Sequence, residues 1–252
     1  ERLLSWIENE KKEMGIKPER IADRYLAHKI FREYSNNNKL SELNYTNLLM
    51  YENLSGCLSW RNTPLIIFGS GAEFDRRFTI REEKEETIQR CWPIDPYGLS
   101  KNIITKRSLE GINNITYILR LFGCFNYDED TTRFIKASIL NLKRGLPIEI
   151  HQNCKMDFFY LDDVFLVVDY ILNTKLPVPR NINLVYNKKI DLLGIASLIR
   201  KFSNVPNPMI KIVNIGEGNE YTGNGRLLYK LPITDKLIGL EEGIRLTCNK
   251  LL

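Results

Sequence analysis

The sequence predicts an α/β fold: a Rossmann-like parallel sheet followed by a smaller C-terminal α/β lobe. Three observations predict it. Pro64-Leu65-Ile66-Ile67-Phe68-Gly69 is a short, wholly apolar run closed by Pro and Gly, the pattern of a strand covered on both faces of a parallel sheet. Ile115 to Phe122 is a second apolar run rich in β-branched residues, and Tyr97 to Gly111 between them reads as a helix with Gly111 and Asn113-Asn114 as its stop. Strand, helix, strand is a βαβ unit, and the same alternation continues to the C-terminus.

The elements follow in order. Residues 1 to about 60 are helical in pattern: Leu3, Leu4, Trp6 and Ile7 repeat at helical spacing, and Leu40, Leu43, Leu48, Leu49 and Leu54 repeat more loosely. After the strand ending at Gly69, Arg76 to Arg90 is a charge-dense loop, and its run Arg81 to Glu86 mixes both signs as a solvated segment does. Thr132 to Gly145 is an amphipathic helix ending on glycine. Met156 to Leu161 is a strand leading into a helix capped by the Asp162 carboxylate. Then come the strand Ile182 to Val185, the helix Asp191 to Phe202 with Asp191 as its cap, the strand Ile210 to Val213 and a closing helix Leu240 to Leu251. Residues 1–124 are thus expected to form a partial Rossmann-like domain with a helical leading segment. Residues 125–252 are expected to form mainly a substrate lobe, with some elements returning to the sheet.

Composition excludes several function classes. The 252 residues carry 36 Lys and Arg against 31 Asp and Glu, a net +5 spread along the chain with no basic stripe, so nucleic acid is not an expected partner. The longest apolar runs are too short to cross a bilayer, and no charged-then-apolar leader opens the chain, so no membrane role is expected. Cys57, Cys91, Cys124, Cys154 and Cys248 are odd in number, widely spaced and free of CxxC pairs, which points to a reducing, cytoplasmic compartment. His28 and His151 have no carboxylate or cysteine at ligand spacing, and Asp162-Asp163 reads as capping, so no metal site is expected.

The chemistry concentrates in Asp95-Pro96-Tyr97-Gly98-Leu99-Ser100-Lys101. On a helix, residues four apart share a face, so Tyr97 and Lys101 project side by side from its first turns. A free phenol titrates near pH 10, and an ammonium beside it favours the phenolate, which brings the pair toward acid/base work at neutral pH. Ser70 stands where the first strand leaves the sheet at its carboxyl edge, the edge where open α/β sheets bind ligands. Its hydroxyl can hold the same substrate oxygen that Tyr97 protonates. A YxxxK spacing alone is common; a strand, a serine, a loop, a helix opened by Tyr and Lys and a further strand together are not.

These residues resemble the extended short-chain dehydrogenase/reductase family, in its nucleotide-sugar epimerase and reductase branch. The resemblance runs from about Asn44 to the C-terminus, through NYTNLL (Asn44 to Leu49), IIFGSGAEFD (Ile66 to Asp75), PYGLSK (Pro96 to Lys101), LRLFG (Leu119 to Gly123), MDFFYLDDV (Met156 to Val164) and EYTGNGRLL (Glu220 to Leu228). It implies that Ser70 polarises the substrate oxygen and Tyr97 is the general acid/base. Lys101 would tune Tyr97 and hydrogen-bond the nicotinamide ribose, and Phe122 would lie near an NAD or NADP cofactor that carries the hydride. Cys124, just after LRLFG, would then stand near substrate, though a small apolar role is commoner for a free cysteine. Family members that dehydrate their sugars carry an acidic pair after the hydroxyl residue; Gly71-Ala72 stands there in this chain, which implies 4-epimerisation or keto reduction of a nucleotide-sugar. A homodimer through the Tyr97 helix and the helix of Asn44 to Leu54 is also implied.

The chain departs from that family in one respect. Before Ser70 its glycines are Gly15, Gly56 and Gly69, so the GxxGxxG turn that seats a pyrophosphate at a helix N-terminus is missing, as is the residue that selects between NAD and NADP. Two readings follow: the dinucleotide-binding half lies outside these residues, or the chain is a non-catalytic relative that serves as a binding or assembly subunit.

Overall fold

The computed structural model describes residues 42–58, 64–110, 116–206 and 208–252. The chain divides into two compact units. The described part of the first is one helix, α1 (Glu42–Leu58), which carries the NYTNLL segment. The apolar repeat at Leu3 to Ile7, Leu40 and His28 lie outside the described residues.

The second unit is built on parallel pairing. Its central sheet has the order β1-β3-β7, from β1 (Leu65–Ser70), β3 (Thr116–Leu121) and β7 (Asn181–Leu184). Registers run Leu65 against Thr116 through Ser70 against Leu121, and Ile118 against Asn181 through Leu121 against Leu184. A parallel pair requires a crossover, and α2 (Pro96–Glu110) supplies the one from β1 to β3. Three two-stranded parallel pairs complete the strands. They are β2 (Ile80–Glu83) with β9 (Tyr221–Gly223), β4 (Cys124–Phe125) with β6 (Phe159–Tyr160), and β5 (Ile148–Asn153) with β8 (Ile210–Glu217).

Three apolar clusters hold the unit together. One lies between α3 (Phe134–Lys143), β5, α5 (Leu192–Phe202) and α6 (Leu240–Leu251), around Ile135, Ile139, Ile150, Ile195, Ile199 and Ile244, each at most 1% exposed. A second joins the apolar face of α4 (Leu161–Asn173), through Val164, Val167 and Ile171, to Leu119 of β3 and to Ile182 and Leu184 of β7. The third is small, comprising Phe74, Ile80, Ile88, Phe122 and Val185, and it lies under the carboxyl edge of the sheet.

Four expectations are corrected. β1 is not covered on both faces: Leu65 to Ile67 are half-buried and Phe68 is 44% exposed, because β1 is the edge strand of the described sheet, with β3 as its one partner there. The charged stretch after it is not all loop, for it contains β2 and a 3-10 helix, Glu85–Arg90. The strand expected from Met156 shrinks to Phe159–Tyr160, since Met156 makes only an isolated bridge to Tyr221. Asp162 does not cap α4; Tyr160 stands at the N-cap with no side-chain cap bond. Asp191 does cap α5, accepting the Gly194 N–H at 2.7 Å.

Candidate active site

The chain leaves β1 through a single 3-10 turn, Gly71–Phe74, which Ser70 caps. Ser70 Oγ accepts the Ala72 N–H at 3.2 Å while the Ser70 N–H donates to Glu73 Oε1 at 2.7 Å, a reciprocal capping box. Ser70 is thereby 7% exposed and fixed in place at the carboxyl edge of the sheet.

The helix bearing Tyr97 and Lys101 packs directly on this turn. Asp95 starts it, accepting the Gly98 N–H on Oδ1 at 2.8 Å, and Pro96 occupies the first position, where its missing N–H does no harm. Gly98 then allows the approach: a Cβ there would meet the Ala72 carbonyl oxygen at 2.4 Å. Asn102 fastens the contact by donating to the Glu73 carbonyl at 3.0 Å and the Cys91 carbonyl at 3.1 Å. Tyr97 remains 40% exposed. Lys101 Nζ donates to the Phe68 carbonyl at 2.9 Å, two residues before Ser70 on β1. Burial pushes the Lys101 ammonium below the usual lysine range, opposed by the Glu73 carboxylate.

Beneath the turn lies a buried polar network. Glu73 and Arg120, both fully buried, form an ion pair in which Arg120 Nε and Nη2 donate to Glu73 Oε2 at 3.0 and 2.9 Å. Arg120 Nη1 donates to Asn183 Oδ1 at 3.0 Å, and its guanidinium lies 4.9 Å from the Phe74 ring centroid. Asn183 continues the chain: its N–H donates to Glu85 Oε1 at 2.9 Å, and its amide donates to the Glu83 carbonyl at 2.8 Å. Each nitrogen of the fork has a hydrogen-bond acceptor, which helps a buried charge pair to be tolerated. The ends of β1, β3 and β7 are therefore tied together through one guanidinium.

Phe122 is core: 6% exposed and wedged between two glycines. A Cβ on Gly71 or on Gly223 would meet its ring at 2.4 Å. It stacks on Phe74 at 6.1 Å and receives Tyr221 edge-on at 5.1 Å. Tyr221 was assigned no role from the sequence, yet its ring packs on Phe122 beside the Ser70 turn, and burial pushes its phenol above the ordinary tyrosine range. No spacing signals it, because 151 residues separate it from Ser70. β9 is held by Asp157, whose Oδ2 accepts the Gly223 N–H at 2.8 Å and the Lys189 ammonium at 2.7 Å. Burial nevertheless pushes the Asp157 carboxyl up to about 6.

The remaining candidates lie apart from this constellation. Asp163 is a structural anchor, accepting the Ile238 and Gly239 N–H groups at 2.7 and 2.9 Å and the Tyr186 hydroxyl at 2.5 Å. Cys124 sits half-buried in β4, its thiol pushed up to about 11 by burial. His151 is exposed on β5. Among the described residues no group of His, Cys, Asp and Glu is arranged to hold a metal, and no helix is long and apolar enough to cross a membrane.

A nicotinamide dinucleotide is tested by its two ends. The nicotinamide end fits: Lys101 has two ammonium protons beyond the one given to Phe68, and Tyr97 is open to solvent beside it. For the pyrophosphate, the chain offers no GxxGxxG turn.

The fold is shared with solved nucleotide-sugar enzymes. A dTDP-glucose 4,6-dehydratase from Bacillus anthracis, in complex with NAD, superposes with a TM-score of 0.68 at 16% identity, over 82% of this chain and 67% of that one. A UDP-glucuronic acid 4-epimerase from Bacillus cereus, with UDP-glucuronic acid and NAD, gives 0.59 at 19% identity, over 81% and 67%. A GDP-L-fucose synthetase from Naegleria fowleri bound to NADP gives 0.64 at 15%, over 81% and 70%. A sequence search of curated proteins finds no match. The model of the NAD dependent epimerase/dehydratase family matches residues 26–184, well over half of the sequence, and the chain belongs to that family.

Proposed function

We propose that the chain catalyses NAD(P)-dependent 4-epimerisation or keto reduction of a nucleotide-linked sugar, with Tyr97 as general acid/base and Ser70 and Lys101 as its partners. The observation that carries this reading is the close packing at Gly98, which brings the first turn of α2 against the Ser70 turn at the carboxyl edge of β1. Nucleotide-sugars in two solved structures of one relative, and the family to which the chain belongs, support the substrate class.

When bound, the nicotinamide supplies a reversible hydride acceptor. The protein's own part is proton transfer and orientation. Tyr97 takes the hydroxyl proton of the sugar carbon being oxidised and returns it on reduction; Ser70 holds that oxygen; Lys101 holds the cofactor ribose beside Tyr97. The Lys101 ammonium, pushed down by burial, is steadied by the Phe68 carbonyl. A cytoplasmic homodimer is the assembly this reading expects, checked by light scattering of the purified chain.

The test is turnover of UDP-glucose or UDP-glucuronic acid by the full-length protein with added NAD or NADP, followed by Tyr97→Phe. Loss of the phenol is expected to lower kcat by about 10²-fold or more, the scale of a general acid/base. Turnover that survives Tyr97→Phe would overturn the reading.

A further inference from the structure

We propose that β8 is a self-association edge: two copies of the chain pair their β8 strands antiparallel about a two-fold axis at Asn214, which joins the two β5–β8 pairs into one four-stranded sheet. The inference is independent of the acid/base reading of Tyr97.

β8 has the composition of a covered strand and the position of an open edge. Among the described residues it pairs with β5 alone. On β5, Ile148 and Ile150 are buried in the apolar core, whereas on β8 Ile210 is the residue that packs against it. From Lys211 to Glu217 every residue is exposed, with Ile212 at 43%, Val213 at 44% and Ile215 wholly in solvent. A register shift sets Ile215 out: Gln152 pairs with Asn214 and Asn153 next with Glu217, and Gly216 takes φ 95° between them. Soluble proteins shield such edges with Pro, with charge or by keeping the strand short. Ile212-Val213-Asn214-Ile215-Gly216 contains neither Pro nor charge.

The backbone presents matching groups. Ile148 pairs in register with Ile210, and its N–H donates to the Met209 carbonyl at 2.9 Å. In a parallel ladder that arrangement turns the peptide groups of Lys211 and Val213 toward β5 and those of Ile210, Ile212 and Asn214 away from it. The outward groups are open to an added strand.

The charges choose both the occupant and its direction. Lys211 and Glu217 flank Asn214 at equal distance along the chain. Antiparallel pairing about Asn214 sets each Lys211 against the other copy's Glu217 and each Val213 beside Ile215; parallel pairing would set lysine on lysine and glutamate on glutamate. Lys211 reaches Glu149 at 3.1 Å on the open surface, and its ammonium keeps protons for a second carboxylate. The contact is isologous, so it closes at two copies and does not propagate. At the axis the two Asn214 residues exchange both peptide hydrogen bonds, with their Cα atoms about 5.5 Å apart.

The experiment is the mass of the full chain by light scattering as its concentration is raised. Ile215→Lys puts a charge into the apolar middle, and Glu217→Lys sets lysine against lysine. Each is expected to halve the mass of the wild-type assembly while the circular dichroism stays that of wild type. Adding Lys211→Glu to Glu217→Lys exchanges the charges and is expected to restore the doubled mass. Asn214→Cys is expected to form a covalent pair under mild oxidation, because its spacing across the axis is one a disulfide spans, whereas wild type and Lys211→Cys are not. Equal masses for wild type and Ile215→Lys would overturn the proposal, and are what cover of β8 by another segment or another protein would give. Failure of the charge exchange to restore association, or cross-linking of Lys211→Cys as readily as Asn214→Cys, would overturn it too.

Discussion

The two ends of the second unit are held by opposite means. Around α3, β5, α5 and α6 the interior is mainly Ile, Leu and Phe, and it is specified chiefly by shape and apolar area. Under the Ser70 turn the fully buried side chains are instead Glu73 and Arg120, with Asn183 joined to them, and direction matters as much as volume. An apolar core tolerates exchange among side chains of similar size, whereas a buried charge network loses its balance when one member leaves. The region that holds Ser70 uses the less forgiving material.

The sharpest way to break this contrast is Glu73→Ala. It strands the Arg120 guanidinium without solvent and removes the acceptor of the Ser70 N–H, so urea denaturation is expected to show a loss of about 3–5 kcal/mol. Ile139→Ala in the apolar end is expected to lose about 2–4 kcal/mol by leaving a cavity, yet the folded fraction should turn over at the wild-type rate. A drop in kcat for Ile139→Ala as large as that for Glu73→Ala would erase the distinction between the two regions.

The contrast also explains which features were legible in the sequence. The apolar strands and amphipathic helices announce themselves by periodicity: β1, α2, β3, β7, α5 and α6 fall within two residues of expectation. β5 was missed although Ile148-Glu149-Ile150-His151 alternates between buried and exposed positions, because Pro147 and the short length masked the pattern. β2 and β9 carry no pattern of their own and exist only as partners of each other. Ser70, Tyr97 and Lys101 were readable as a motif and lie on the elements expected for them, while the helix start at Asp95 and the steric role of Gly98 were not read. Arg120 and Asn183 were invisible as a group. Their partners lie 47 and 63 residues away in sequence, and only the tertiary fold brings such distant polar groups together.

A smaller effect separates the regions by pH. Glu129 precedes α3, and burial pushes its carboxyl from 4.5 up to about 7. The folded protein then keeps a proton that the unfolded chain releases near 4.5. The contribution of this group to stability is full below 4.5 and declines as pH rises toward about 7. Glu129→Gln removes that decline, so the variant is expected to gain on the wild type between pH 5 and 8, by on the order of 1 kcal/mol after allowance for solvent screening. A constant difference in melting temperature across that range would contradict it.

The most direct measurement is kcat of Tyr97→Phe beside wild type, in the full-length protein with a nicotinamide cofactor and a nucleotide-sugar. Because Tyr97 is 40% exposed, the substitution leaves the fold intact and reads the chemistry alone. A fall of about 10²-fold or more at unchanged stability is the predicted result. Undiminished turnover would show that the turn, helix and buried network hold Tyr97 for some purpose other than proton transfer.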